Sequence, residues 1–146
     1  MGRIMNVKIL DLTRQYEIIK DKVESAVLEQ MKGGAYIGGK AVTDFEKKFA
    51  DYIGAKYAIA LNSGTDALVI AMRAFGIGEG DEVITTPFTF FATAETVAMI
   101  GATPVFVDVC KDSYNIDPSK IEEKITEKTK AILPVHIFGQ PADMDA

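Results

Sequence analysis

From residue 56 onward, short and largely apolar runs recur between longer helical stretches, and this alternation limits the fold more than any other feature of the 146-residue chain. Tyr57-Ala58-Ile59-Ala60-Leu61, Val83-Ile84-Thr85-Thr86, Val105-Phe106-Val107 and Ala131-Ile132-Leu133-Pro134-Val135-His136 are too short for helices, and their composition is that of strands buried on both faces. Between them lie Ala67 to Phe75, apolar almost all round and so expected to be deeply buried, and Phe88 to Ile100, which follows a break at Pro87. A polar helix opened by Asp117-Pro118-Ser119, carrying Ile121 and Ile125, precedes the fourth run. Each strand-to-strand connection is then a crossover, which makes the strands parallel. The expected class is α/β, with a mainly parallel sheet covered by helices on both faces. Phe138-Gly139-Gln140-Pro141 reads as a turn, and Ala142-Asp143-Met144-Asp145-Ala146 as the first turn of a further helix, a βα unit cut short.

The first 55 or so residues are different. Tyr16, Ile19, Val23, Ala26, Val27 and Met31 recur at three- and four-residue steps, one apolar face of a helix over 14–32 that Gly33-Gly34 ends. Tyr36 and Ile37 fall in a loop before Gly38-Gly39, and Val42, Phe45, Phe49 and Tyr52 stripe a second helix that stops at Gly54. No repeat or linker-like tract separates this helical segment, about 1–55, from the α/β region, about 56–146, so the whole of 1–146 reads as part of one domain.

Composition removes several classes of function. Sixteen Lys and Arg against 21 Asp and Glu leave a formal charge of −5, with no basic cluster to meet a nucleic-acid backbone or an anionic membrane. A single cysteine, Cys110, and a single histidine, His136, allow neither an internal disulfide nor a Cys/His metal site, so no metal is expected. No apolar run approaches a membrane span, and Met1-Gly2-Arg3-Ile4-Met5-Asn6 carries no signal-peptide core and no myristoylation serine or threonine. The expected location is the cytoplasm.

Chemistry concentrates where Asn62-Ser63-Gly64-Thr65 joins an apolar run to an apolar helix. The first turn of a helix leaves its N–H groups unpaired and partly positive, Gly64 permits close approach of a phosphate, and the hydroxyls of Ser63 and Thr65 add donors. The alternative is a plain N-cap. Walker geometry is excluded, because Gly64 stands where the lysine is needed, and a nucleophile elbow at Ser63 lacks its glycine at Leu61, although Ser63, Asp108 and His136 follow a hydrolase order. Gly76-Ile77-Gly78-Glu79-Gly80 follows a helix instead of a strand, so it is a turn and not a dinucleotide loop. Phe88, Phe90 and Phe91 follow the second strand, so one ring can emerge at the carboxyl edge of the sheet to cover a flat heteroaromatic cofactor, or all three can pack in the core. His136 ends a strand on the same edge, in a structural or a catalytic role.

Ser63-Gly64-Thr65-Asp66-Ala67-Leu68, Gly78-Glu79-Gly80-Asp81-Glu82-Val83-Ile84, Phe88-Thr89-Phe90-Phe91-Ala92-Thr93-Ala94 and Pro134-Val135-His136-Ile137-Phe138-Gly139-Gln140-Pro141-Ala142-Asp143-Met144-Asp145 together resemble the successive signatures of the DegT/DnrJ/EryC1/StrS family. Phe45-Glu46 and Phe49-Ala50 extend the likeness upstream, to about Leu10. The resemblance implies the N-terminal part of the large domain of a fold type I transferase that depends on pyridoxal 5'-phosphate. The implied activity is transfer of an amino group, from glutamate, to a keto group of a nucleotide-linked sugar in surface polysaccharide or related sugar biosynthesis. It also implies a homodimer whose partners are that sugar substrate and the amino donor. Gly64 and Thr65 would hold the cofactor phosphate, Ser63 would set the turn, and Phe90 would stack on the pyridine ring. Tyr36, Ile37 and Gly38 would lie near the nucleotide sugar, and His136 is not read as the base.

In that family the aspartate paired with the pyridine nitrogen and the lysine that carries the cofactor follow a segment like Gln140 to Asp145. Lys111, Lys120, Lys124, Lys128 and Lys130 do not match that lysine. The 146 residues are therefore expected to be an N-terminal piece with no catalytic residue of its own, inactive alone and binding pyridoxal phosphate weakly at best. The alternatives are a dimerising or ligand-sensing module without catalysis, and a sugar dehydratase of the same family.

Overall fold

The computed structural model describes residues 8–146, which form two compact units that divide at Ala60/Leu61. The Met1–Asn6 stretch inspected for targeting signals lies outside the described residues. In the first unit α1 spans Leu12–Gly33 and α2 spans Lys40–Ile53, as the apolar spacing predicts. Asp11 caps α1 by accepting from the Arg14 N–H at 3.3 Å. Gly34 and Gly54 end the two helices in left-handed backbone, with φ of 67° and 71°, where a side chain would be strained. Phe45 and Phe49, one turn apart on α2, stack at 5.7 Å between ring centroids.

The second unit contains α3 (Gly64–Ala74), β1 (Glu82–Thr85), α4 (Ala92–Met99), β2 (Thr103–Phe106) and β3 (Thr129–Ile132). The strands form one all-parallel sheet in the order β2-β1-β3. β1 is central and is buried from Val83 onward, which is why its sequence has no polar alternation. Val83 faces a cluster with Met72, Ile77, Val97 and Ala102, built from α3, α4 and the turns after them. Ile84, the next residue, faces the opposite side, against Val107, Ile116 and Ala142. The chain steps from β1 to β2 and then back across β1 to β3; with right-handed crossovers, the two connections must cover opposite faces. The fold class is α/β, with a parallel sheet and flanking helices.

Several expected elements take another form. Tyr57–Leu61 is not a strand: no other strand runs beside it among the described residues, and the Ala60 N–H is spent on Glu46 Oε1 at 2.8 Å. α3 is less buried than its composition predicts, with Met72 its one buried residue and Ile70 50% exposed, because the sheet side covers only part of an all-round apolar surface. The helix expected from Phe88 begins at Ala92, the preceding residues being held in a turn by the Thr86 hydroxyl, which accepts from the Phe88 N–H at 3.3 Å. The polar helix after Asp117 is two 3-10 turns, Pro118–Lys120 and Glu122–Lys124. β3 stops at Ile132, before Pro134, which has no N–H to extend a ladder. Ala142–Asp145 is not helical.

Candidate functional site

The carboxyl ends of β1 and β3 open beside the N-terminal turns of α3 and α4, and a cavity of about 410 Å³ lies there. This is the edge at which parallel α/β sheets take their ligands. Its lining joins Gly64 and Thr65 of α3 to Phe90 of the turn after β1 and to His136 of the segment after β3. Three of the residues expected to meet a cofactor are thus brought together. Ser63 is next to Gly64 but is not part of the lining.

Ser63 acts as the N-cap of α3. Its hydroxyl accepts the Asp66 N–H at 3.1 Å and donates to the Asp66 carboxylate at 2.9 Å. That reciprocal pair satisfies the hydroxyl and leaves the amides of Gly64 and Thr65, for which no acceptor stands among the described residues, at the positive end of the helix. The cap therefore does not consume the amides of Gly64 and Thr65.

None of the three phenylalanines packs in the core, because all lie in the turn after β1 or at the start of α4 and stay 44%, 77% and 74% exposed at Phe88, Phe90 and Phe91. Phe88 packs at 5.6 Å from the ring of Tyr114 and edge-on to Phe138 at 6.4 Å. Phe90 is 77% exposed and lines the cavity. Thr89, whose hydroxyl bonds that of Thr93 at 2.9 Å, ties the turn carrying Phe90 to the first turn of α4. Neither threonine was singled out by sequence, although their four-residue spacing across a helix start is the signal that could have found them.

His136 Nδ1 accepts the Ala142 N–H at 2.9 Å. A backbone amide can only donate, so Nδ1 carries no hydrogen and the neutral ring carries it on Nε2. A hydrolase triad needs the reverse, with Nδ1 donating to a carboxylate, and Asp108 instead accepts from the Val109 N–H and pairs with Lys120 at 3.8 Å. Ser63, Asp108 and His136 therefore form no triad. Among the described residues no lysine lines the cavity and no cluster of metal-ligating side chains is present. No helix of the described residues is long and apolar enough to cross a membrane.

Tyr36, Ile37 and Gly38 lie in the first unit, between α1 and α2. Tyr36 donates through its hydroxyl to the Met31 carbonyl at 3.0 Å, and Ile37 is 98% exposed.

The family model for DegT/DnrJ/EryC1/StrS aminotransferases matches residues 17–146. The chain is 50% identical over 140 residues to a UDP-2-acetamido-2-deoxy-3-oxo-D-glucuronate aminotransferase of Pseudomonas aeruginosa, covering 96% of this chain and 39% of that one. Its structure superposes on DesV of S. venezuelae with a TM-score of 0.91 at 42% identity, over 95% of this chain and 38% of that one. The NtdA structure from Bacillus subtilis, solved with bound cofactor PMP, gives a TM-score of 0.91 at 37% identity, over 99% of this chain and 33% of that one. The chain thus spans about two-fifths of the length of the curated relatives it matches. With four ordered motifs, a parallel sheet and a match along nearly its whole length, the chain belongs to the DegT/DnrJ/EryC1/StrS aminotransferase family.

Proposed function

We propose that these residues form the cofactor-phosphate side of a pyridoxal phosphate-dependent aminotransferase that moves an amino group from glutamate to a keto group of a nucleotide-linked sugar, in surface polysaccharide or related sugar biosynthesis. The observation that carries this reading is the convergence of two unpaired amides, on Gly64 and Thr65, with the exposed ring of Phe90 in one cavity. The residues fit the group: a Cβ at Gly64 would meet no atom within 4 Å, so the backbone there is open to an approaching phosphate. When bound, the cofactor supplies an electron sink for the carbanion chemistry of amino transfer. Gly64 and Thr65 donate to the phosphate, Ser63 keeps their helix end in place, and Phe90 covers one face of the heterocycle and shields it from water. Tyr36, Ile37 and Gly38 contact the nucleotide sugar in a homodimer. The family resemblance assigns the cofactor's lysine to no residue of this chain, so the proposal gives these 146 residues binding and no turnover of their own.

Titrating the chain with pyridoxal phosphate and following the cofactor's absorbance tests the reading. Saturable binding that weakens in Gly64→Ala and in Phe90→Ala supports it. No saturation, or equal binding by both variants, rejects it.

A further inference from the structure

Asn115 is 3% exposed and outside the cavity lining, yet one of its hydrogen bonds ends on Ile137 of the lining and two on Gln140 and Pro141, in the turn that continues from it. Its Nδ2 donates to the carbonyls of Gln140 at 3.0 Å and Pro141 at 2.9 Å, and its Oδ1 accepts the Ile137 N–H at 3.1 Å. Only a carboxamide offers donors and an acceptor in this arrangement, and only one orientation of it suits these partners. The wall is a segment that needs holding. Phe138 adopts φ of 52°, left-handed backbone that is unfavourable for a bulky residue, and the amide after Pro141, that of Ala142, is the one that fixes His136 Nδ1.

Asn115 itself stands on a fixed base. Cys110 and Asn115 are joined by a backbone bond of 2.9 Å, and Val109 bridges Ile116 in antiparallel fashion. The neighbouring Tyr114 ring contacts Phe88, which contacts Phe138, so the same wall is tied a second time to the turn that carries Phe90.

We propose that Asn115 is a positioning residue of the cavity, its carboxamide locking the 137–141 turn so that His136 presents Nε2–H to an acceptor atom of the bound molecule. The inference rests on the cofactor reading above for the identity of that molecule, and on the hydrogen-bond geometry alone for the lock. A loosened turn would release the Ala142 N–H from Nδ1, the two ring tautomers would interconvert, and the donor facing the ligand would be present only part of the time.

His136 is the chain's one histidine, so 15N-histidine labelling gives a single imidazole whose two nitrogens report the tautomer directly. The wild-type chain is expected to show an unprotonated Nδ1 and a protonated Nε2 at neutral pH, with the Nε2 signal moving on addition of pyridoxal phosphate. Asn115→Asp, nearly isosteric but without the Nδ2 donors, is expected to mix the tautomers and lower the affinity for pyridoxal phosphate about tenfold while the far-UV circular dichroism is kept. Ile77→Val, a core change away from the cavity, is expected to lower stability and leave both readouts in place. If Asn115→Asp does not fold, Asn115→Ser takes its place, read by the same histidine signal and the same titration. A wild-type Nδ1 that carries hydrogen, or a folded Asn115 variant with unchanged tautomer and affinity, overturns the proposal. Absence of pyridoxal phosphate binding by the wild-type chain would defeat the cofactor reading and the donor's target, whereas the lock would stand or fall on the histidine signal.

Discussion

Gly64 shows how a single residue separates what the fold requires from what a ligand requires. It sits in the first turn of α3, and a Cβ there would touch nothing within 4 Å, so the fold does not demand glycine. Gly64→Ala is expected to leave the melting temperature unchanged or to raise stability by about 0.5 kcal/mol, by restricting the unfolded chain, while lowering pyridoxal phosphate affinity. A thermal melt beside a cofactor titration measures both. Thr85 is the converse case. It is fully buried, and its hydroxyl donates to the Leu133 carbonyl at 2.8 Å across the β1–β3 pair. Thr85→Val keeps the branched shape and strands that acceptor, an expected loss of about 1–3 kcal/mol in urea denaturation.

At the scale of an element, helix ends matter more here than helix interiors. Ser63→Ala removes the N-cap of α3 and is expected to cost about 1 kcal/mol, read as a lower urea midpoint, and to fray the turn that positions the amides of Gly64 and Thr65. The 3-10 turn Pro118–Lys120 is held in a related way. The Ser119 hydroxyl donates to Asp117 Oδ1 at 2.7 Å and, ahead of the Ser119 N–H and Lys120, keeps the Asp117 carboxyl below the usual aspartate range. A folded value below the unfolded one means this contribution is complete above about pH 3.9 and disappears as the pH falls through the lower folded value. The Ser119 amide signal is therefore expected to titrate with a midpoint below that of a free aspartate; a midpoint at or above it would remove the interaction from the account.

At the scale of the molecule, much apolar surface is left uncovered. None of the 22 residues of α1 is buried, Ile18, Val27 and Leu28 are each more than half exposed, and β2 and β3 are both edge strands. Open edges and apolar helix faces promote association. Light scattering on the eluted protein at micromolar concentration is expected to give a dimer or larger species, and a stable monomer would count against the homodimer in the proposed function.

The sequence by itself determined the parallel α/β class, the two N-terminal helices, the strand at Val83–Thr85 and the open helix end at Gly64 and Thr65, because these follow from local periodicity, helix-end chemistry and the crossover rule, while Phe90 is pointed to only by the family resemblance. Only the tertiary structure decided the rest. Whether Tyr57–Leu61 is a strand depends on a hydrogen-bonded neighbour, which composition does not encode. That Phe88 packs against other rings while Phe90 lines the cavity depends on where Tyr114 and Phe138 arrive. Asn115 reads as an ordinary turn residue until the fold brings Ile137, Gln140 and Pro141, more than 20 residues away, onto its carboxamide. Periodicity reports on neighbours along the chain, whereas a buried hydrogen bond between distant segments exists only once both have been placed.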